Sequence, residues 1–160
     1  MSLERRIQRL EDRAAIAELM HAYCRHADQL DAASMMETFT EDCVASYVEG
    51  YPPLRGRADV QQALVGYLES VVGGSHYIAN LELAFETDER VAAAMYMYSW
   101  QRFKVSGITA DCHRWGRYEV RFVRTASGWR ISDLRLLSAL EHGGARLGEY
   151  LNRPFPPHFG

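Results

Sequence analysis

The spacing of the hydrophobic residues changes near residue 75, and this change constrains the fold more than any other feature of the chain. Before that point, apolar side chains recur every three or four residues, as in amphipathic helices. From residue 75 to about residue 137 they mostly alternate with polar ones, which is typical of β-strands. Helices followed by long strands predict an α+β domain, with the N-terminal helices packed in the concave face of a curved, mostly antiparallel sheet.

Three helices and one short strand are predicted in the first part of the chain. The first helix spans residues 3–28 and ends at Asp28. Asp31 is a suitable N-cap for a second, short helix over 32–39, and a third helix over 58–72 ends at Gly73-Gly74. A strand over 43–49 separates the last two. On the first helix an apolar stripe is predicted to face the core, whereas charged residues that include Asp12 point elsewhere; the stripe is Ile16, Leu19, Met20, Tyr23 and Ala27.

Four long strands are predicted after residue 75, over 75–85, 91–104, 109–125 and 129–137. In the first of these strands, the alternation predicts an apolar face made of Tyr77, Ala79, Leu81, Leu83 and Phe85 and an opposite face made of His76, Ile78, Asn80 and Glu82. Residues 138–160 are predicted to form a short C-terminal helix and a proline-rich tail. The 160 residues fit one domain, 1–160.

The net charge and the cysteine content limit the classes of partner and the cellular compartment that we expect for this protein. A net charge of −3 and a pI near 6.1 argue against a nucleic-acid-binding protein. The longest apolar run, residues 91–100, is shorter than the ~20 residues that cross a membrane, and the charged start MSLERRIQRLED is not a signal peptide. Three widely spaced cysteines indicate reduced thiols and a cytoplasmic protein. The histidine spacing predicts no metal site.

Asp28 and His76 are the residues best suited to proton transfer. A histidine can take up and return a proton near neutral pH, and His76 follows a Gly-Gly turn at the start of a strand. The oxygens of Asp28, at the end of the first helix, could hold one imidazole nitrogen and favour the charged ring. The alternative is that Asp28 caps the helix and His76 is partly exposed at the surface.

Aromatic residues are candidates for the walls of a pocket. Tyr23 lies on the apolar stripe of the first helix and Tyr47 on the first short strand, and a buried phenol needs a polar partner, which could be a substrate oxygen. Either tyrosine could equally be an ordinary core residue. The later strands supply four further candidates for a substrate pocket: Tyr96, Trp100, Phe103 and Trp115.

Four segments, RLEDRAAIAELMHAYCRHADQLDAASM, FTEDCVASY, GGSHYIANLEL and GRYEVRFVRTASGWRISDLRL, resemble the SnoaL-like family. Within that family the chain resembles scytalone dehydratase, bile-acid 7α-dehydratase and hexachlorocyclohexane dehydrochlorinase. Asp28 and His76 match the aspartate and histidine that those enzymes share. Tyr23 matches a tyrosine of the bile-acid enzyme, and Tyr47 matches one of the dehydratases. Scytalone dehydratase has a second pocket histidine, and at the matching position this chain has Trp100 instead.

The resemblance implies a cone-shaped α+β barrel, a trimer and a cofactor-independent lyase with no metal. The implied reaction removes water, or HX, from a hydrophobic cyclic small molecule. His76 would be the base, Asp28 would orient and stabilise it, and Tyr23 and Tyr47 would bind the substrate or assist the leaving hydroxyl. An isomerase or a polyketide cyclase would use a similar pocket. A further alternative has no catalysis: a small-ligand binding protein, or a structural subunit similar to the small subunit of ring-hydroxylating oxygenases.

Overall fold

Residues 2–142 are described by a computed structural model, and they form three helices and six strands. The helices are α1 (Leu3–Asp28), α2 (Ala32–Met36) and α3 (Arg57–Leu68). The strands are β1 (Phe39–Ser46), β2 (Leu54–Arg55), β3 (Val71–Phe85), β4 (Arg90–Val105), β5 (Ile108–Thr125) and β6 (Gly128–His142).

The strands form one sheet in the order β2-β1-β6-β5-β4-β3. Each neighbouring pair is antiparallel except β1 and β6, which are parallel. Within residues 2–142 the sheet is open, with β2 and β3 as its two edges. The predicted α+β class, with helices before a mostly antiparallel sheet, is therefore confirmed, although the described sheet does not close into a barrel.

Helix α1 packs its apolar stripe against the sheet. Its buried residues are Asp12, Ile16, Met20, Tyr23, Cys24 and Ala27. The predicted orientation of Asp12 was wrong, since only 4% of this residue is exposed. Its Oδ1 accepts hydrogen bonds from Trp129 Nε1 at 3.2 Å and from the Arg124 guanidinium at 2.5 Å. A buried carboxylate needs such partners, and these two join the helix to β5 and β6.

The glycine pair after α3 belongs to the sheet. The helix ends at Leu68, and Gly73 and Gly74 lie within β3 opposite Arg102 and Gln101. A Cβ on Gly74 would lie 3.3 Å from both Gln101 Cγ and the Trp100 carbonyl oxygen, so the glycine permits a close approach of β3 to β4. The predicted helix over 58–72 was therefore too long at its C-terminal end.

The second predicted helix was also too long. Asp31 does cap α2, because its Oδ1 accepts the Ser34 amide at 3.0 Å, but the helix ends at Met36. The chain then enters β1 at Phe39, earlier than the predicted strand start at residue 43.

A β-bulge at Asn80 reverses the phase of β3. Asn80 has φ 54°, and the register shifts by one residue between Ala79 and Glu82. Before the bulge, His76 and Ile78 are partly buried while Tyr77 and Ala79 are exposed. After it, the partly buried residues are Leu81, Leu83 and Phe85. Tyr77 and Ala79 thus lie on the outer face, contrary to the simple alternation.

At the other end of the described chain, β6 continues to His142. Residues 138–142 are therefore strand and not the predicted helix, and they pair with β5 near Gly116 and His113. The rest of the predicted C-terminal helix and tail lies outside the described residues. None of the described helices combines the length and apolar character needed to span a membrane.

Candidate active site

A cavity of about 250 Å³ lies between the helices and the concave face of the sheet. Apolar side chains, among them Met35, Leu64, Met97 and Leu136, form much of its wall. The polar side chains that line it are Tyr23, Tyr47, Tyr67, His76, Gln101, Arg114 and Tyr118. An apolar enclosure with a few convergent polar groups is the usual form of a small-molecule site.

A wider recess of about 700 Å³ lies on the outer face of the sheet. Its wall includes exposed charged residues of three strands, among them Glu82, Arg121 and Arg135. The inner cavity is the better candidate despite its smaller volume, because its polar groups are partly shielded from water. Electrostatic interactions are stronger in such a site than in water.

Asp28 and His76 are in direct contact at this cavity. Asp28 is the last residue of α1, and His76 lies on the neighbouring edge strand β3. Asp28 Oδ1 lies 2.6 Å from His76 Nδ1, and Asp28 Oδ2 accepts the His76 backbone N–H at 3.1 Å. The carboxylate therefore holds both the ring and the main chain of His76. The side chains of His76 and Asp28 are 10% and 28% exposed, and of the two only His76 lines the cavity.

This contact determines which imidazole nitrogen can react. In the neutral ring, Nδ1–H donates to Asp28 and Nε2 carries the lone pair. Because Nδ1 is occupied by the carboxylate, Nε2 is the nitrogen left to accept a proton from a bound molecule. The carboxylate would also stabilise the imidazolium formed by that transfer.

Three phenols form a second polar group at the cavity. The hydroxyl oxygens of Tyr23 and Tyr47 are 3.2 Å apart, and the ring of Tyr23 meets that of Tyr118 edge-on, with centroids 6.1 Å apart. Burial raises the pKa of all three phenols, because a phenolate would lose its hydration there. They therefore remain neutral hydrogen-bond donors at physiological pH.

Two further polar residues reach the cavity from β4 and β5. Gln101 is 6% exposed, and its Oε1 accepts the Tyr67 hydroxyl at 2.6 Å. Arg114 lies directly opposite Ser99, which in turn pairs with His76. The three residues His76, Ser99 and Arg114 thus form a row across the sheet. The positive charge of Arg114 partly offsets the upward shift that burial imposes on the pKa of Tyr118.

The predicted aromatic pocket residues do not line the cavity. Tyr96 and Trp115 are 61% and 42% exposed on the outer face. Trp100 also faces outward, where the Arg102 guanidinium lies 5.3 Å from its ring centroid. Phe103 faces inward but packs edge-on against Tyr67, with ring centroids 5.6 Å apart. The predicted pocket position was wrong for Tyr96 and Trp100 because alternation along β4 turns its odd-numbered residues inward. Trp115 belongs to the outward phase of β5, and Phe103, although it faces inward, is not part of the cavity wall.

Sequence reasoning missed Tyr67, Gln101, Arg114 and Tyr118. Tyr118 belongs to the inward phase of β5 with Val120 and Phe122, and this phase is a signal that could have identified it. Polar residues such as Gln101 and Arg114 resemble solvent-exposed strand residues until the covered face of the sheet is known. Within residues 2–142, no three His, Cys, Asp or Glu side chains come together in a metal-binding arrangement.

Comparison with known proteins agrees with this architecture. Residues 8–135 match the sequence profile of the SnoaL-like domain. A structure described as a candidate scytalone dehydratase from Novosphingobium aromaticivorans superposes with a TM-score of 0.78 at 21% identity, covering 84% of this chain and 89% of that one. A type 3 hexachlorocyclohexane dehydrochlorinase from Novosphingobium barchaimii has a TM-score of 0.75 at 19% identity, and the alignment covers 94% of this chain and 99% of that one.

An NTF2-like protein with a cystatin-like fold, also from Novosphingobium aromaticivorans, has a TM-score of 0.69 at 26% identity and covers 86% of this chain and 88% of its own. No curated protein sequence matches the chain. Because identity to the dehydratase and dehydrochlorinase structures is low, their likeness establishes the fold and not the reaction.

Proposed function

This chain belongs to the SnoaL-like domain family, and on that premise we propose that it is a cofactor-independent lyase that removes water from a small hydrophobic cyclic molecule. The observation that carries the proposal is the 2.6 Å contact between Asp28 and His76 at the wall of a largely apolar inner cavity. Fold alone does not determine a reaction, so the proposal rests on this pair.

In the proposed reaction, His76 Nε2 removes a proton from a carbon next to an electron-withdrawing group. The electrons of that C–H bond shift into the electron-withdrawing group and then form a C=C bond as the neighbouring C–O bond breaks. The departing hydroxyl takes up the proton and leaves as water, so the reaction needs no other reactant. Asp28 holds Nδ1 and stabilises the imidazolium, and the neutral phenols of Tyr23 and Tyr47 hydrogen-bond the substrate or the leaving hydroxyl.

The size of the cavity limits the substrate. Ligand pockets typically measure about 300–1,000 Å³, and this cavity, at about 250 Å³, lies just below that range. We therefore propose a substrate of one or two rings and not a steroid-sized one. The apolar wall of the cavity favours a largely hydrophobic ring, and the polar groups of the cavity would select the orientation of the substrate's oxygens.

We further propose that the protein works as a trimer in the cytoplasm. An outer aromatic patch, defined as Tyr77, Tyr96, Tyr98 and Trp115, lies on the outer face of β3, β4 and β5. Clustered exposed aromatic residues favour burial against another chain. The buried thiols of Cys24 and Cys43, which form no disulfide bond within residues 2–142, support a reducing compartment.

Steady-state kinetics on a panel of hydroxylated one- and two-ring ketones tests the reaction. His76→Ala and Asp28→Asn should each lower kcat by ~10²–10⁴-fold, with ligand affinity and fold largely kept. The double variant should lose little more than the worse single variant, because the two residues act as a unit. His21→Ala and Asp42→Asn, which change exposed residues of the same types, are the matched controls.

Product analysis separates the alternatives. Loss of one water from the substrate supports a lyase, whereas a product of unchanged mass indicates an isomerase or a cyclase that uses the same pair. Wild-type turnover in both His76→Ala and Asp28→Asn would refute the mechanism. Tight ligand binding without turnover across the panel would favour a binding protein instead.

A further inference from the structure

We propose that Gln101 is the specificity-determining residue of the cavity, and that its amide group donates a hydrogen bond to a carbonyl oxygen of the substrate. In this proposal Tyr67 positions Gln101. The inference rests on the proposed function, since it names the group that would withdraw electrons from the carbon attacked by His76.

Gln101 is a buried polar residue on a mostly apolar face of β4. The other inward-facing residues there include Ser99 and the apolar Met95, Met97 and Phe103, all of which are buried. Removing an amide from water costs free energy unless hydrogen bonds replace the lost hydration. Two other buried polar residues meet this need within the protein: Asp12 accepts from Trp129 and Arg124, and Thr38 donates to the Met35 carbonyl. Gln101 has one such bond, from Tyr67, and it also lines a cavity that can hold a ligand.

The bond from Tyr67 orients the amide. The Tyr67 hydroxyl donates to Gln101 Oε1 at 2.6 Å, and the Tyr67 ring is fixed by its edge-on contact with Phe103. A side-chain amide has one acceptor oxygen and one NH₂ group with two donors. Because the oxygen is engaged by Tyr67, the NH₂ group is the end that Gln101 can offer to a ligand. That end suits an acceptor such as a ketone oxygen and not a hydroxyl proton.

The register places this donor near the proposed base. His76 pairs with Ser99, and Gln101 lies two residues further along the same face of β4. The backbone positions of diagonal neighbours of this kind are about 7–8 Å apart, and both side chains line the cavity, so one small ligand can contact both. Gly74, directly opposite Gln101, lets the Gln101 side chain pack closely against β3, since a Cβ on Gly74 would lie 3.3 Å from Gln101 Cγ.

This arrangement would assist the proposed proton transfer. As His76 removes the proton, the electrons of the C–H bond shift into the carbonyl group and its oxygen gains negative charge. The N–H donor of Gln101 stabilises that charge without becoming ionised. When the hydroxyl leaves, the electron pair returns to complete the conjugated ketone, and no other reactant is needed.

The test uses tetralone, a two-ring ketone, and tetralin, the hydrocarbon of nearly the same shape. Affinities are measured by calorimetry, and the carbonyl stretching band of bound tetralone is recorded by infrared difference spectroscopy. The wild-type protein should prefer tetralone and shift its carbonyl band to lower frequency. Gln101→Met should lose about threefold to tenfold in tetralone affinity, the value of one neutral hydrogen bond. It should leave tetralin affinity unchanged and abolish the band shift.

Two further variants separate recognition from folding. Gln101→Glu keeps an acceptor for Tyr67 and, at a pH where its carboxyl is ionised, has no hydrogen-bond donor, so there it should also lose the preference for tetralone. Tyr67→Phe keeps the donor but frees the amide to rotate, so it should lose part of the preference and broaden the carbonyl band. Gln62→Met, on the exposed side of α3, is the matched control and should change neither readout.

The proposal is overturned if the wild-type protein binds both probes equally, or if Gln101→Met or Gln101→Glu keeps the preference and the band shift. These outcomes do not depend on turnover. His76→Ala should retain the preference for tetralone, because His76 acts on the carbon and not on the oxygen. A variant that loses turnover but keeps the preference for tetralone therefore tests the proposed reaction. A variant that loses the preference for tetralone tests the proposed role of Gln101.

Discussion

Burial raises the pKa of the Tyr23, Tyr47 and Tyr118 phenols, and this makes the stability of the protein sensitive to alkaline pH. In the unfolded chain a tyrosine ionises near pH 10, whereas in the folded chain these three keep their protons to higher pH. Their contribution to the free energy of unfolding is therefore complete below about pH 10 and is lost as the pH rises above it. Each contributes a loss of about 1.4 kcal/mol per pH unit.

Replacing one of these phenols should make the alkaline loss of stability shallower. Tyr118→Phe removes one ionisable group, so the free energy of unfolding should fall less steeply above pH 10.5, by about 1.4 kcal/mol per pH unit. Urea denaturation between pH 8 and 12 measures this slope. The Cys24 thiol, whose pKa burial raises to about 12, is present in both proteins. Tyr51→Phe, at an exposed site, is the control. An unchanged slope in Tyr118→Phe would contradict the assignment.

At the scale of a single element, the bulge in β3 sets which residues face the cavity. Without the extra residue at Asn80, the alternation that directs Leu81, Leu83 and Phe85 inward would place His76 on the outer face. Asparagine tolerates the left-handed conformation better than most residues with a side chain, and a β-branched residue is strained there. The local chemistry of residue 80 therefore supports the position of the proposed base four residues earlier.

A β-branched residue at the bulge should be destabilising despite its high strand propensity. Asn80→Val should lower the free energy of unfolding by roughly 1–2 kcal/mol, because valine resists a positive φ. Ala84→Val, on the same strand at an exposed position with ordinary strand geometry, should change it by no more than about 0.5 kcal/mol. Urea denaturation compares the two. Equal stability of Asn80→Val and the wild-type protein would argue against strain at this position.

At the scale of the whole molecule, the outer face of the sheet has two different surfaces. The outer aromatic patch occupies one part, and Glu82, Glu119, Arg121 and Arg135 line the recess on the other. In the patch, Tyr98 contacts the rings of both Tyr77 and Trp115, with centroids 5.9 and 5.2 Å apart. Apolar rings favour burial whereas the charged recess is compatible with water, so the proposed contact between chains uses the patch.

Charge introduced into the patch should dissociate the proposed trimer. Sedimentation velocity at micromolar concentration should give the mass of three chains for the wild-type protein and of one chain for the double variant Tyr96→Glu/Trp115→Glu, because a buried unpaired carboxylate is costly. Ala92→Glu introduces the same charge into the charged recess of the same outer face and should leave the mass unchanged. A wild-type monomer, or a trimer that survives the double variant, would contradict the assignment of this interface.

The sequence alone was sufficient to predict the features that depend on residues close to one another along the chain. The span of α1, the Asp31 cap and the succession of helices and strands follow from periodicity and capping, which act over a few residues. Asp28, His76, Tyr23 and Tyr47 were identified as candidates, and the structure places all four at or beside the cavity. Their roles in catalysis remain part of the proposal.

Only the tertiary structure decided which face of each long strand is covered. Strands β4 and β5 carry apolar residues in both phases, so alternation predicts two faces but does not say which one the helices cover. Sequence reasoning placed the aromatic residues Tyr96, Trp100 and Trp115 inside, whereas the packing of α1 and α3 turned Gln101 and Arg114 inward. Local sequence propensity carries no information about such long-range contacts, so it could not identify the covered face. In addition, a single bulge is enough to exchange the two faces of a strand. The polar side of the cavity is therefore a product of packing between elements distant in sequence.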